Sequence, residues 1–246
     1  MFYYNPTAYM FLVPIIACML LSVWASSKVK NTYAKYDKVR NRLGITGYDA
    51  ARRLLQMNGV TDIALGKVQG TLSDHYNPTK SVVNLSEMTY GSTSVAAVAV
   101  AAHEIGHVMQ NKSGYGLYRL RTVLVPITNI GTRLAMPLVL VGLLMDVYLT
   151  TARNSGMGFQ VAMVGVILYG LSFLFTLVTL PVELNASARA AKMLKQAEIV
   201  YEEETVGVRK VLSAAALTYL AAMLTSFVYF LRFLFYVLSM FGRRRD

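Results

Sequence analysis

The sequence is poor in cysteine, histidine and acidic residues: one Cys, three His and 13 Asp plus Glu against 24 Lys plus Arg in 246 residues. A lone Cys18 excludes an intrachain disulfide and a thiolate zinc cluster; lying in an apolar run, it reads as a packing residue. Charged residues make up only 15% of the chain and hydrophobic ones 55%, with a mean hydropathy of +0.44. That is too apolar for an ordinary soluble domain and places the chain in a membrane. The net charge of +11 does not argue for nucleic acid. The basic residues stand beside the apolar blocks, where they face anionic lipid headgroups. Internal repeats and low-complexity linkers are absent.

What the chain does have is long apolar blocks. Thr7–Ser27 is uncharged and long enough to cross the hydrocarbon core, which takes about 20 helical residues. Without a basic segment before it, this block reads as a signal anchor rather than a cleaved signal peptide. It is followed by Lys28, Lys30, Lys35, Lys38, Arg40 and Arg42 against a single Asp37, a flank that the positive-inside rule puts in the cytoplasm. Further blocks cover Arg121–Thr151, interrupted by Arg133 and Asp146, and Met157–Val182, which carries no charge. The turn "TARNSG" joins them. In the first of these the span is expected to start near Arg133, with Leu117–Ile130 in the interface. The last tract, Val211–Phe241, is broken once by Arg232, and its basic tail "FGRRRD" would face outward if all four blocks crossed. A last tract that does not cross, a re-entrant hairpin and an inverted orientation all stay open; the stronger basic flank at Lys28–Arg42 favours a cytoplasmic site.

The expected division is therefore an N-terminal anchor (1–27), an extramembrane domain (28–118), a transmembrane hairpin (119–182), an extramembrane segment (183–210) and a C-terminal helix or span (211–246). In the extramembrane part, Ala51, Leu54 and Leu55 recur at helical spacing and Gly59 supplies a stop. Two strands near Lys67–Leu72 and Ser81–Leu85 around Asn77 and Pro78 read as a β-hairpin. "SVAAVAVAAHEIGHVMQNKSGYG" reads as a helix ending at Lys112–Gly114.

In that helix lies "HEIGH". Side chains four apart on an α-helix differ by about 40° in rotation and about 6 Å in rise, so His103 and His107 share a face and can hold one ion. A catalytic zinc takes three protein ligands and keeps a position for water. Glu104 stands where it can take that water's proton and pass it to a leaving amine, and Gly106 keeps the helix slim beside the metal. The pattern alone is short, and a buried structural helix could carry it. However, two buried imidazoles without partners would be costly, and a metal satisfies both. No histidine follows residue 107, so the third ligand must be a carboxylate. Glu183, at the end of the third apolar block among small residues, is the best candidate; Asp146 falls within or at the end of a span, and Glu198–Glu204 read as a solvated face. Two spans separate His103 from Glu183 and return the chain to the side it left.

His75, in "SDHYNP", could stabilise an oxyanion, contact substrate, or cap a turn with Asp74 and Asn77. An extended substrate could add as a strand along Thr71–Leu72 or Val82–Leu85. Arg189 could steady a developing oxyanion or simply pair with lipid or Glu.

With these motifs in order, from "GITGYDAARRLLQMNGV" through "GTLSDHYNPTKSVVNLSE" and "SVAAVAVAAHEIGHVMQ" to "LPVELNASARAAKML" and "VLSAAALTYLAA", the sequence resembles the YugP-type family of neutral zinc metallopeptidases of bacterial membranes. The resemblance covers nearly the whole chain. It implies a mainly α, polytopic helical membrane protein with a small α+β zincin-like (gluzincin) catalytic domain at the membrane surface. It also implies one catalytic Zn2+ on His103, His107 and Glu183, with Glu104 as base. The sequence is similar, more distantly, to HtpX-type membrane proteases, which carry an aspartate four residues after the ligating glutamate. Here that position is Ser187, with Asn185 and Arg189 nearby, so the residues supporting the ligands or touching substrate are expected among His75, Asn185, Ser187 and Arg189.

The expected partners are the lipid bilayer and a peptide or membrane-protein substrate, with a homo-oligomer or a membrane partner protein left open. The expected location is the bacterial cell membrane. A zinc-stabilised scaffold without catalysis is the main alternative. A transporter using Arg133 and Asp146 is the weakest, since the third block is uncharged.

Overall fold

The computed structural model describes residues 10–148 and 156–242. The "TARNSG" turn, save Gly156, and the terminal Arg243–Asp246 lie outside the described residues, as do the first residues of the N-terminal apolar block. Among the described residues four helices are long and apolar enough to cross a membrane: α1 (Leu12–Asp37), α5 (Gly116–Tyr148), α6 (Met157–Gln196) and α7 (Glu202–Gly242). Between α1 and α5 come α2 (Gly47–Met57), β1 (Ala64–Val68), β2 (His75–Asn77), β3 (Val82–Ser86), α3 (Glu87–Tyr90) and α4 (Val95–Lys112). The protein is a polytopic, mainly α-helical membrane protein with one small sheet.

The chain divides into two compact units. The first takes 1–23, 120–179 and 220–246, ranges that contain the apolar parts of the long helices. Within it α5 and α6 pack through small residues. A Cβ on Gly142 would lie 2.5 Å from both the Gly158 carbonyl oxygen and the Ala162 amide, a close approach of the kind that holds helices together where lipid offers no hydrophobic drive. Against α7, the Phe173 ring meets Phe227 at 5.0 Å and Phe230 at 6.2 Å, and the hydroxyls of Thr176 and Ser226 lie 2.6 Å apart.

The second unit takes 24–119 and 180–219. Its core is built on α4, whose Val95, Ala96, Val98, Ala99, Ala101 and Ala102 are all buried. A helix apolar all round must be enclosed on all sides. Ser94 caps it, its hydroxyl accepting the Ala97 amide at 3.0 Å. On α2, Thr46 and Asp49 form a reciprocal capping box, and Ala51, Leu54 and Leu55 face the core. The helix runs out at Met57, two residues before Gly59.

Sheet order corrects the hairpin expectation. The strands run β1-β3-β2, with β1 parallel to β3 from Ala64↔Val82 to Val68↔Ser86 and β2 antiparallel to it from His75↔Asn84 to Asn77↔Val82. The hairpin is β2–β3, its turn held by Asn77 Oδ1 accepting the amides of Thr79 and Lys80. β1 begins three residues before Lys67 and stops at Val68, because Gly70 (φ +105°) and Leu72 (φ +55°) turn the chain away. That sequence stretch carries the polarity of a strand but the backbone of a loop.

Three more readings change. α1 continues past Ser27 to Asp37, there being no glycine or proline in its basic flank. α6 passes without a break from the uncharged block through Pro181 and Glu183, so span and ligand segment are one helix. α7 is likewise one helix, which removes the re-entrant hairpin. Its Val208, Val211 and Leu212 join the core of the second unit, and its Phe230 and Phe233 pack in the first.

Candidate metal centre

His103 and His107 project from one face of α4 with ring centroids 4.8 Å apart and planes at 85°. Their Nε2 atoms point at the same oxygen of Glu183 on α6, at 3.1 Å from His103 and 3.4 Å from His107. Donor atoms of the three residues all lie within 4.8 Å of one another. Zinc bonds imidazole nitrogen and carboxylate oxygen at about 2.0–2.2 Å, which makes a tetrahedral ligand–ligand edge about 3.3 Å. Two of the three edges match that length, and two neutral nitrogens with one carboxylate is a donor set that zinc accepts while keeping a fourth position. The residues fit the group.

Outer hydrogen bonds orient the imidazoles. Gln110 is fully buried; its Nε2 donates to the Val182 carbonyl at 2.7 Å and to Asn185 Oδ1 at 3.0 Å. That leaves its Oε1 to face His107 Nδ1 at 3.0 Å, so Nδ1 carries the proton and the Nε2 lone pair is left for a ligand bond. Asn185 Oδ1 also accepts from Arg189 Nε at 2.8 Å, and the Arg189 guanidinium lies 5.9 Å from the Tyr115 ring. On the other side, Ser187 Oγ is 3.2 Å from His103 Nδ1. A hydroxyl thus occupies the place of the aspartate noted above. Sequence reasoning passed over Gln110, although its place three residues after His107 on the same helix face was a signal.

Glu104, next to His103 on α4, is 8% exposed. Burial pushes its carboxyl from the usual 4.5 up to about 7; His103 opposes the rise, while Asp74 and Glu183 add to it. The Tyr76 backbone of β2 is also a hydrogen-bond partner. In the metal-free protein the folded state therefore holds a proton between about pH 4.5 and 7 that the unfolded state has lost. Stability falls as pH rises through that window, and the full cost, about 3 kcal/mol, is present above it. Glu104→Gln is expected to stabilise the zinc-free protein by about that amount near pH 8 and hardly at all near pH 4. Thermal unfolding in detergent at the two pH values checks this; equal stabilisation at both would assign the effect to something other than the carboxylate.

Gly106 is where α4 and α6 meet: a Cβ there would stand 2.5 Å from the Ala186 carbonyl oxygen. The opposing atom is backbone and cannot turn aside. Gly106→Ala must push apart the two helices that carry the metal donors. It is expected to cost about 2 kcal/mol in overpacking and to lower zinc affinity, read by unfolding and by metal titration. Unchanged affinity would show that the close approach does not set the donor spacing.

The hydrogen bonds of His75 go to residues outside this group. It is exposed on β2, with Nδ1 2.9 Å from the Ser73 carbonyl oxygen and Nε2 3.1 Å from Asn84 Nδ2. Asp74 Oδ1 accepts the Ser86 amide at 2.8 Å. The expectation of substrate adding along Val82–Leu85 fails, because β3 is the middle strand with a neighbour on each side. Thr71–Leu72 fails too, being loop rather than strand.

Fold and side chains together define a class: helical membrane proteins that bring two His and one Glu, a group able to hold a metal ion, together from two packed helices. The chain belongs to the family described as "Putative neutral zinc metallopeptidase", which it matches over residues 10–238. It is 41% identical, over 230 residues covering 94% of this chain and 97% of the relative, to the "Putative membrane protease YugP" of Bacillus subtilis (strain 168). No solved structure matches the chain.

Proposed function

We propose that this protein is a membrane-embedded zinc endopeptidase of gluzincin type, acting on membrane or juxtamembrane polypeptides. The observation that carries the reading is the meeting of His103 Nε2, His107 Nε2 and Glu183 Oε2 beside a buried carboxylate that is not part of that set. A structural metal site has no need of such a base.

His103, His107 and Glu183 would hold the ion, which supplies Lewis acidity toward a substrate carbonyl and lowers the pKa of water to about 7. Gln110 and Ser187 hold the imidazoles in the orientation that ligation needs. Glu104 takes a proton from the attacking water and delivers it to the amine nitrogen that leaves when the peptide bond breaks. The catalytic part comprises 28–118 with 183–210, and the remaining segments anchor it in a bacterial cell membrane. The six basic residues from Lys28 to Arg42 support a cytoplasmic site.

The test is cleavage of β-casein and of a detergent-unfolded membrane protein by purified full-length chain, with 1,10-phenanthroline added and then excess zinc. Cleavage that the chelator stops and zinc restores is the expected result. No cleavage of either probe by stoichiometrically zinc-loaded protein, or cleavage indifferent to the chelator, would sink the proposal.

A further inference from the structure

A cavity of about 640 Å³ opens in the second unit between α1 and α7, and none of the metal donors lines it. Four cations line it: Lys28 and Lys35 from α1, Arg209 and Lys210 from α7, and no carboxylate shares its wall. Among the described residues none of the four is ion-paired. The acids nearest in sequence are otherwise engaged or elsewhere: Asp37 accepts from the hydroxyls of Ser92 and Ser94, Glu202 pairs with Lys195, Glu204 accepts the amides of Arg42 and Tyr201, and Glu203 does not line the cavity.

The wall is graded in polarity. On α1 the stripe runs Lys28, Thr32, Lys35, each within a turn of the next on one helix face. Continued one turn toward the apolar block, that face carries Trp24, the chain's one tryptophan, 52% exposed. A half-exposed tryptophan at the edge of a span is a mark of headgroup depth. On α7 the stripe passes from Arg209 and Lys210 through Ser213 to Ala214 and Leu217, the start of its apolar tract. The α7 wall thus turns from cationic to apolar within the cavity, and the α1 face does so one turn beyond it at Trp24, an arrangement suited to a ligand that is anionic at one end and apolar at the other.

We propose that this cavity is a binding site for an anionic phospholipid. Its phosphodiester is held by Lys28, Lys35, Arg209 and Lys210, its glycerol ester groups accept from Thr32 and Ser213, and its acyl chains leave along Ala214 and Leu217. Basic pockets between helices at the membrane surface select anionic over zwitterionic lipid, each cation near the phosphate contributing about fivefold. Phosphatidylglycerol is therefore bound in preference to phosphatidylcholine. The site is separate from the donor set, so its existence does not depend on whether the chain cleaves peptides.

The experiment uses the full chain in neutral detergent, titrated with phosphatidylglycerol or phosphatidylcholine carrying the same acyl-chain fluorophore. Wild type is expected to favour phosphatidylglycerol at least tenfold. Lys35→Gln, Arg209→Gln and Lys210→Gln combined are expected to weaken it by roughly 100-fold. An equal charge loss at exposed Arg52, Arg53 and Lys80, outside the cavity, should leave binding within about twofold of wild type. Photo-crosslinking of wild type by a phosphatidylglycerol with a headgroup diazirine, expected on peptides covering 28–36 and 206–217, serves as a readout that needs no variant. The proposal is overturned by absence of a headgroup preference, by an equal loss in the control variant, by crosslinks elsewhere, or by full displacement of the lipid with millimolar inorganic phosphate, which would make this a free-phosphate site.

Discussion

Glu104→Gln is expected to lower peptide-bond cleavage by about 10²–10⁴-fold, the span that a positioned general base contributes, with zinc per chain unchanged. The amide keeps the size of the carboxylate and can still hydrogen-bond, but it cannot take the proton from water. Zinc should stay because the donor set is His103, His107 and Glu183; Glu104 stands outside it. Elemental analysis and the casein assay on the same preparation check both halves. Activity within a few fold of wild type would remove Glu104 as base and favour the non-catalytic scaffold. Loss of zinc in this variant would place its carboxylate among the ligands.

The second large effect is expected from Glu183→Ala, which should lower zinc affinity by more than about 100-fold, the upper end of what outer-sphere partners alone cause. Glu183 is 2% exposed and its Oε2 faces both imidazole Nε2 atoms. The alanine variant would leave two nitrogens, a set that zinc holds poorly, and a vacancy next to buried histidines. Zinc content after gel filtration is the direct readout, since it asks about the ligand without needing a substrate. If zinc remains stoichiometric, the third ligand is another carboxylate, and Glu183 is a hydrogen-bond partner of the two histidines rather than a ligand. Near-complete zinc loss here with retention in Glu104→Gln would separate ligand from base.

Local patterns made much of this protein legible from sequence. Uncharged runs announced membrane helices because backbone polar groups in lipid must be satisfied within the segment, and α1, α6 and α7 each include one. The i, i+4 pairing of His103 and His107 follows from helix pitch alone, and the Thr46–Asp49 capping box and the Gly59 stop around α2 are equally local. Glu183 was reachable by elimination, because the chain has no histidine after residue 107.

Only the tertiary structure decided what depends on side chains far apart in sequence. The parallel pairing of β1 with β3 escaped the pattern because alternation reports a strand but not its neighbour. Gln110 became an orienting residue only when α6 brought the Val182 carbonyl and Asn185 to its amide. The basic cavity exists because α1 and α7, about 180 residues apart, lie side by side. Helix periodicity is encoded within a few residues, so the sequence by itself determined the spans and the two histidines. The meeting of Glu183 with the two histidines, the hydrogen bonds that hold these side chains and the cavity wall come from the packing of α4 on α6 and of α1 on α7. Packing is settled by shape across the whole core, as at Gly106 and Ala186, where the absence of one Cβ allows the ligand helices to meet.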